Sequence, residues 1–241
     1  MELKTHAIVL RTVKYGEAQL IADLFTEQSG RLSFICRIPK TSKAKVRKQF
    51  FQPLTCLELS FDHRPNARLQ HLRDVRIAHP FGSIPFAPYK LSISLFLSDF
   101  LYHATHNEPQ NVPLYQYVED SIRWLDGCQR PVANFHLVFM MRLSRFLGFY
   151  PNLSDDTPGC FFDLRNGAFS LECPPHPDVL QPADAARIST LMRMNFETMH
   201  LFAMSRDDRN RFAQTILTYY RLHVPDFPEL KSFEVLKTLF V

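Results

Sequence analysis

Hydrophobic and polar positions in the first 80 residues fall into five short runs with the alternation and β-branched content of β-strands. The runs cover residues 5–13, 18–26, 30–38, 51–61 and 67–77. In the third run, Leu32, Phe34 and Cys36 share one face, while Arg31 and Arg37 lie on the other. Pro53 makes the start of the fourth run an edge or a bulge.

Five strands in so short a segment, with no long helical period between them, predict a small closed barrel. The best candidate is the five-stranded oligonucleotide/oligosaccharide-binding barrel, the OB-fold. A proline-rich stretch at residues 79–88 then ends the strand pattern. We therefore predict an OB-fold nucleic-acid-binding domain over residues 1–80.

The remaining chain changes to a helical period, so the fold class is predicted to be α+β and multidomain, with an α-helical domain over residues 81–241. Helices are predicted at residues 89–106, 114–128, 131–150, 182–194, 205–224 and 232–240. Leu91, Leu95, Phe96, Phe100 and His103 form one stripe of the first helix. Residues 151–181 are irregular, and within them residues 154–178 are predicted to form a small zinc-finger-like hairpin insert.

Composition and charge limit the classes of function that the protein can have. The 241 residues carry a net charge of +4, but residues 1–80 hold 14 Lys and Arg against 7 Asp and Glu. A basic domain of this kind points to a polyanionic partner. An odd number of cysteines, 5, without a secretory signal suits free thiols in a reducing cytosol. The longest apolar run, residues 91–102, is too short to span a bilayer and contains Asp99, so we expect a cytoplasmic protein with no membrane partner.

The densest charge lies between the third and fourth strands, where residues 31–50 contain no acidic residue. A solvated loop is the ordinary reading of such a run. The absence of local acids, and further cations in the loops that flank an OB-fold ligand face, favour a nucleic-acid interface with Tyr15 as a stacking platform. Phe34 could also stack, although we expect it in the core. The predicted DNA-binding set is Arg11, Lys14, Tyr15, Arg31, Arg37, Lys40, Lys43, Lys45, Arg47, Lys48, Arg64 and Arg68.

A second candidate site is the mixed set Cys160, Asp163, Cys173 and His176, in two pairs with the spacing of zinc-ribbon ligands. Only two of the four are cysteines, and aspartate is a poor structural-zinc ligand beside thiolate. We therefore favour a plain β-hairpin that turns at Asn166-Gly167, with no metal and no cofactor. No phosphate loop, nucleophile elbow or H-E-x-x-H is present, so we expect a binding protein and not an enzyme.

The order of these parts resembles the RecO family of bacterial recombination mediators. The resemblance rests on Tyr15 and Glu17 in the first turn, Thr26, Gly30, the basic loop at residues 40–48 with Gln52-Pro53 after it, and "FMMRLSRFLGFYPNL" at residues 139–153. It covers nearly the whole chain. Two departures are Ile38-Pro39 ahead of the basic loop and the replacement of two finger cysteines by Asp163 and His176, where many family members carry two Cys-x-x-Cys pairs.

The resemblance implies that the protein binds single- and double-stranded DNA, anneals complementary strands and helps load RecA on gapped DNA. It also implies RecR and the acidic tail of the single-stranded DNA-binding protein as partners, and a place at the nucleoid. For that tail we predict an arginine pair on the central helix, Arg142 and Arg145, although both could simply solvate the helix. Two other classes stay open, an RNA- or translation-associated OB-fold protein and a structural adaptor that acts through its helical domain.

Overall fold

The computed structural model describes residues 2–38, 46–65 and 67–238. The chain divides into two compact units, one formed by residues 1–128 with 230–236 and the other by residues 129–229 with 237–241. The predicted division at residue 80 stays a prediction. Among the described helices, none has the length and apolar character that a membrane crossing requires.

The first unit contains the predicted five-stranded barrel. Its strands are β1 Glu2–Tyr15, β2 Gln19–Thr26, β3 Gly30–Arg37, β4 Cys56–Asp62 and β5 Gln70–His79. They close in the order β1-β2-β3-β5-β4, and only the short β3–β5 pairing is parallel. The prediction of an OB-like barrel is confirmed. The predicted start of the fourth strand at residue 51 is wrong, because a 3-10 helix over Lys48–Phe51 and a positive φ of 61° at Leu54 delay it to Cys56.

The inward side chains of all five strands fill the barrel. Phe34 and Phe61 meet edge to face with ring centroids 5.0 Å apart, and both are fully buried. The core also contains Ala7, Val9, Leu20, Ala22, Leu24, Cys36, Phe51, Leu57, Leu59 and Val75. Phe34 is therefore a core residue, as expected, and is not available to stack on a base.

Part of the outside of the barrel is covered by helices α1 Pro88–Ala104 and α2 Val112–Gly127 of the same unit. A bulge between Val9 and Arg11 gives β1 one extra residue, and Leu10 becomes buried on the helix side. The Ser98 hydroxyl donates to the Leu10 carbonyl at this contact. Beyond the bulge, Arg11 lies over the Tyr102 ring of α1, whereas Val13 and Tyr15 are exposed.

The face that α1 buries differs from the predicted stripe. Ile93, Phe96, Leu97 and Phe100 are buried, whereas Leu91 and Leu95 are 40% and 45% exposed. The helix is apolar on nearly every side, so hydrophobicity alone fits two faces. The small side chains of Ser94 and Ser98 lie on the buried face, where they permit close packing.

The proline-rich segment between the barrel and α1 is held to the end of α2. The Asp126 carboxylate accepts backbone hydrogen bonds from Gly82 at 2.7 Å and from Ser83 and Ile84 at 2.8 Å. Burial opposes the charged carboxylate, but these hydrogen bonds outweigh it and lower the pKa of Asp126. The buried Lys90 ammonium donates to the Asp126 and Cys128 carbonyls, which end α2.

The second unit consists of α3 Phe135–Phe146, β6 Phe161–Asp163, β7 Ala168–Ser170, β8 Val179–Leu180, α4 Pro182–Arg193 and α5 Arg206–His223. Helix α6 Lys231–Lys237 belongs to the first unit up to residue 236. The predicted start of the third helix at residue 131 is wrong, because the Asn134 amide is held by the Met199 and Phe202 carbonyls and α3 begins after it. Ser205 is the N-cap of α5, and its hydroxyl accepts from the Asp208 N–H.

The hairpin insert forms as a β6–β7 pair, joined at Asn166-Gly167 where the sequence places the turn. The short strand β8 adds a third strand against β6 that the sequence analysis missed. Phe162 and Phe169 are buried and meet with centroids 5.0 Å apart. Leu171, just after β7, is 77% exposed and takes no part in this packing.

Candidate nucleic-acid interface

Cross-strand register builds a flat, uncovered surface on the outside of β1, β2, β3 and the start of β5, which we call the open face. Inward residues alternate with outward ones, so the burial of Ala22 and Phe34 fixes which neighbours point outward. Three rows of paired positions make up the open face. They are Arg11–Asp23–Ser33, then Val13–Ile21–Ile35–His71, then Tyr15–Gln19–Arg37.

The middle row is apolar over three strands. Val13 is 44% exposed, Ile21 and Ile35 are half-buried, and His71 at the end of the row is exposed. Tyr15 in the third row is 51% exposed, which suits its predicted role as a platform. The sequence analysis missed this row, because only the register reveals that residues so far apart in the chain are neighbours.

Cations lie at the rim of the open face. Lys14 pairs with Leu20 across the strands and so points towards the end of the barrel, while Arg37 is exposed at the end of β3. A cleft of about 360 Å³ at this end is lined by Lys14, Leu20, Ile38 and Lys48 among others. Arg47 and Lys48 are exposed beside it. The predicted contacts Lys40, Lys43 and Lys45 lie outside the described residues.

The β4–β5 loop adds two further exposed cations, Arg64 and Arg68. This loop is fixed by the buried side chain of Gln70, which accepts from the Arg64 N–H at 3.0 Å. The same amide donates to the carbonyls of Arg64 at 2.8 Å and Ala67 at 3.1 Å. A buried glutamine whose hydrogen bonds are satisfied in this way ties Arg64 and Ala67 to the start of β5.

Arg11 and Arg31 are positioned by helix α1. Both guanidinium groups lie over the Tyr102 ring, at 5.1 Å and 4.6 Å from its centroid. Arg31 also donates to the Tyr102 carbonyl at 2.7 Å and contacts the His106 ring. A cation at the C-terminal end of a helix is favoured by the helix dipole. Burial, with the nearby charges of Arg11 and Arg31, lowers the pKa of His103 against the opposing effect of Asp99.

The opposite side of the barrel pairs its arginines. Arg73 donates to Asp62 at 2.8 Å and lies 3.7 Å from Glu2, while Arg76 donates twice to Glu58 at 2.9 Å and 2.5 Å. In contrast, ion pairs with described acidic residues are absent for six predicted DNA contacts, Lys14, Arg37, Arg47, Lys48, Arg64 and Arg68.

The four candidate metal ligands of the hairpin do not converge. The Asp163 carboxylate accepts from the Arg165 and Asn166 N–H groups and lies 3.4 Å from His176 Nε2. Cys160 is buried, with its Sγ 2.8 Å from the Thr157 hydroxyl, and Cys173 is exposed. Within the described ranges, no group of three or more His, Cys, Asp or Glu side chains could hold a metal ion.

The two arginines of α3 differ in burial and in their contacts. Arg142 is half-buried and donates to the Met194 carbonyl at 3.2 Å, just beyond the end of α4. Arg145 is exposed in the last turn of α3. One of the two predicted partner contacts therefore has an internal role, and the other is open to a ligand.

The closed five-stranded barrel places the first unit in the OB-fold class, and its open, cation-rimmed face is the candidate nucleic-acid interface. Comparison with known proteins assigns both parts of the chain to one family. The family model described as "Recombination protein O N terminal" matches residues 1–81, and "Recombination protein O C terminal" matches residues 86–232.

Curated relatives are similar to this chain along nearly its full length. The chain is 50% identical to the DNA repair protein RecO of Phocaeicola vulgatus over 237 residues, which is 98% of each chain. It is 50% identical to that of Bacteroides fragilis over 238 residues, again 98% of each, and 34% identical to that of Flavobacterium psychrophilum over 242 residues, 100% of each. The chain belongs to the RecO family of DNA repair and recombination proteins.

Proposed function

We propose that this protein binds single- and double-stranded DNA on the open face and its basic rim, and anneals complementary strands. It does so by binding and not by catalysis. The observation that carries the proposal is the set of six cations without acidic partners among the described residues, which surround the open face while the other side of the same barrel pairs its arginines. Unpaired cations of this kind bind phosphates and release counterions.

Annealing follows from the same electrostatics. Two complementary strands repel each other through their phosphates, and a basic surface that neutralises both lowers this repulsion. Phosphate contacts carry no base information, so the protein can act on any pair of complementary strands. The basic loop between β3 and β4 lacks acids because its proposed partner supplies the anions.

The proposed cellular role is that of a cytoplasmic, nucleoid-associated recombination mediator, with three protein partners. It acts on gapped DNA covered by the single-stranded DNA-binding protein, engages RecR, and helps RecA to load. The names of the relatives, DNA repair protein RecO, support this assignment. The partners themselves come from the family resemblance.

The test is a strand-annealing assay with labelled complementary oligonucleotides, run with and without the single-stranded DNA-binding protein. Wild type should accelerate annealing of both naked and covered strands. The variant Arg47→Ala/Lys48→Ala should anneal slowly, because two unpaired phosphate contacts are lost. The matched control Arg73→Ala/Arg76→Ala removes the same charge from the paired side and should anneal as wild type does.

Two outcomes would support other functions. A preference for RNA over DNA of the same sequence would favour an RNA-associated protein, since RNA differs by its 2′-hydroxyl groups. Absence of any nucleic-acid binding by wild type would favour a structural adaptor that works through its helices.

For the tail of the single-stranded DNA-binding protein we propose Arg145 as a carboxylate contact on α3. A charged hydrogen bond lost at such a site weakens binding by about 1.5–3 kcal/mol, roughly ten-fold or more. Titration of a labelled acidic tail peptide should show this loss for Arg145→Ala. Arg142→Ala should instead lower the melting temperature, because its guanidinium holds the Met194 carbonyl. Unchanged affinity of a folded Arg145→Ala variant would place the tail site elsewhere.

A further inference from the structure

We propose that the middle row of the open face, Val13, Ile21, Ile35 and His71, seats unstacked bases weakly, so that a bound single strand is held by its phosphates while its bases stay free to pair. This inference rests on the proposed function and adds to it. It names the state of DNA that the face selects and a reason why the face is built from aliphatic side chains.

The row fits bases by size and position. Adjacent strands lie about 4.8 Å apart, so four positions across β1, β2, β3 and β5 span roughly 14 Å. Recognition sheets of four strands seat two or three bases on a surface of this kind. Asp23 and Ser33 border the row on one side, and on the other lie Gln19, Arg37 and Tyr15, the one aromatic side chain among these neighbours.

Exposure of aliphatic groups here calls for an occupant. The outward positions of β4 and β5 that pair across the strands, Glu58 with Arg76 and Ser60 with Asp74, are polar, and Arg76 and Asp74 are exposed to water. The middle row instead carries valine and isoleucine on β1, β2 and β3, with Val13 44% exposed, and ends in His71 on β5. The flanking cations Arg11, Arg37 and Lys14 favour a polyanion over an apolar protein partner.

Single strands and duplexes should use different parts of this surface. In a duplex the bases are stacked inside the helix, and only their edges reach the grooves. A duplex can therefore contact the cationic rim but cannot lay base faces on the row. The middle row therefore distinguishes single strands from duplexes, whereas the cations of the rim contribute affinity for both.

The weakness of the row suits a protein that must release bases to a complementary strand. Stacking on an aromatic side chain strengthens binding by about 5- to 150-fold per base. Aliphatic side chains offer a flat apolar contact without this gain. Strands held mainly through phosphates expose their bases to pairing, whereas an aromatic row would compete with the incoming strand.

The experiment adds an aromatic ring to the row. Val13→Tyr places it at an exposed position on β1, and the control Lys4→Tyr adds the same ring on the same strand on the side that faces β4. Anisotropy titrations should show Val13→Tyr binding a labelled single strand at least about five-fold more tightly, with duplex affinity unchanged. Its annealing rate should fall. Ile35→Tyr should act in the same direction.

A strand with abasic sites provides a second control, because it keeps the phosphates and removes the bases. The gain of Val13→Tyr should vanish on it. Equal gains for duplex and single strands, a gain that persists on abasic strands, or the same gain in Lys4→Tyr would overturn the inference. So would tighter binding with unchanged annealing. Each of these results leaves wild-type annealing intact, so the proposed function is judged separately, by the wild type alone.

Discussion

The two outward sides of the barrel use their cations in opposite ways. On β4 and β5, Arg73 and Arg76 donate to Asp62 and Glu58 at 2.8 Å and 2.9 Å. Around the open face, Arg37 at the end of β3 has no ion-pair partner among the described acids. The same residue type is therefore held in ion pairs on one side and left available to a ligand on the other.

This difference in ion pairing shows which cations of a surface are available to bind a phosphate. An exposed pair contributes only about 0–1 kcal/mol to stability, so neither arrangement decides whether the barrel folds. Pairing does decide which charges remain available, because a paired arginine must lose its carboxylate before it can bind a phosphate. Unpaired cations are therefore a better indication of a polyanion site than the total charge of a domain.

The largest expected effect comes from removing unpaired cations together. If about six cations contact phosphates, log K for single strands should fall against log salt with a slope of roughly −4. The variant Lys14→Ala/Arg37→Ala/Arg47→Ala/Lys48→Ala should flatten the slope to about −1.5 and lower affinity at 0.1 M salt by about two to three orders of magnitude. Titrations over a range of salt concentrations measure both.

The paired side supplies the control for this prediction. Arg73→Ala/Arg76→Ala should change the slope by no more than about 0.7, the contribution of one phosphate contact on a single strand. If the paired variant lost as much affinity as the unpaired one, the distinction between the two sides would have no bearing on binding. An unchanged slope in the quadruple variant would remove these residues from the interface.

The hairpin extends the comparison, since its charges are satisfied internally and should affect stability instead of binding. Asp163 is buried and accepts three hydrogen bonds, from the Arg165 N–H, the Asn166 N–H and the Asn166 side chain. Asp163→Ala should lower the free energy of unfolding by about 1–3 kcal/mol, because three hydrogen-bond donors lose a buried acceptor. DNA affinity should not change.

The contribution of Asp163 should also depend on pH. Burial raises its pKa, but hydrogen bonds from Asn166 and Arg165 and the charge of His176 outweigh burial, so the pKa is lowered. A lowered pKa gives stability that is present above the unfolded value of about 3.9 and is lost as the pH falls through the folded value. The gap in melting temperature between wild type and Asp163→Ala should thus narrow from pH 7 to pH 3. A gap that stays constant would show that the carboxylate charge is unimportant.

A smaller effect is expected from the one acidic residue of the open face. Asp23 is half-buried and accepts from the Ser33 hydroxyl at 2.5 Å, beside Arg11 in the same row. Asp23→Asn removes a charge that repels phosphates and should strengthen DNA binding a few-fold at low salt, with less gain at high salt. Glu58→Gln on the paired side is the matched control and should gain nothing. Weaker binding by Asp23→Asn would mean that the carboxylate positions Arg11.

The period of two, the β-branched content and the close spacing of five short runs were together sufficient to predict the barrel. The open face could not be predicted, because its rows depend on register, and the bulge at Leu10 shifts the outward residues of β1 by one position. The cations of the rim were found from charge density. The role of Arg31 beside Tyr102 was not, because it needs the position of a helix about 70 residues further along the chain.

Helix α1 and the hairpin show two further limits. A helix that is apolar on nearly all sides has no unique hydrophobic stripe. The sequence pattern therefore placed Leu91 and Leu95 on the buried face, although both are exposed in the structure. In the hairpin, spacing suggested Cys160, Asp163, Cys173 and His176 as one ligand set. Spacing does not show that Asp163 is occupied by backbone hydrogen bonds, which only the folded turn reveals.

The smallest expected effect is that of a chelator, for which we predict none. The Cys160 Sγ lies beside the Thr157 hydroxyl, Cys173 is exposed, and the Asp163 carboxylate binds its own turn. A structural zinc contributes on the order of 10 kcal/mol to folding, so its removal would be plain in a melting curve. Chelator should leave the melting temperature unchanged, and so should Cys173→Ser. Elemental analysis that finds about one zinc per chain, with a melting temperature that drops on chelation, would show instead that the four residues converge on a metal.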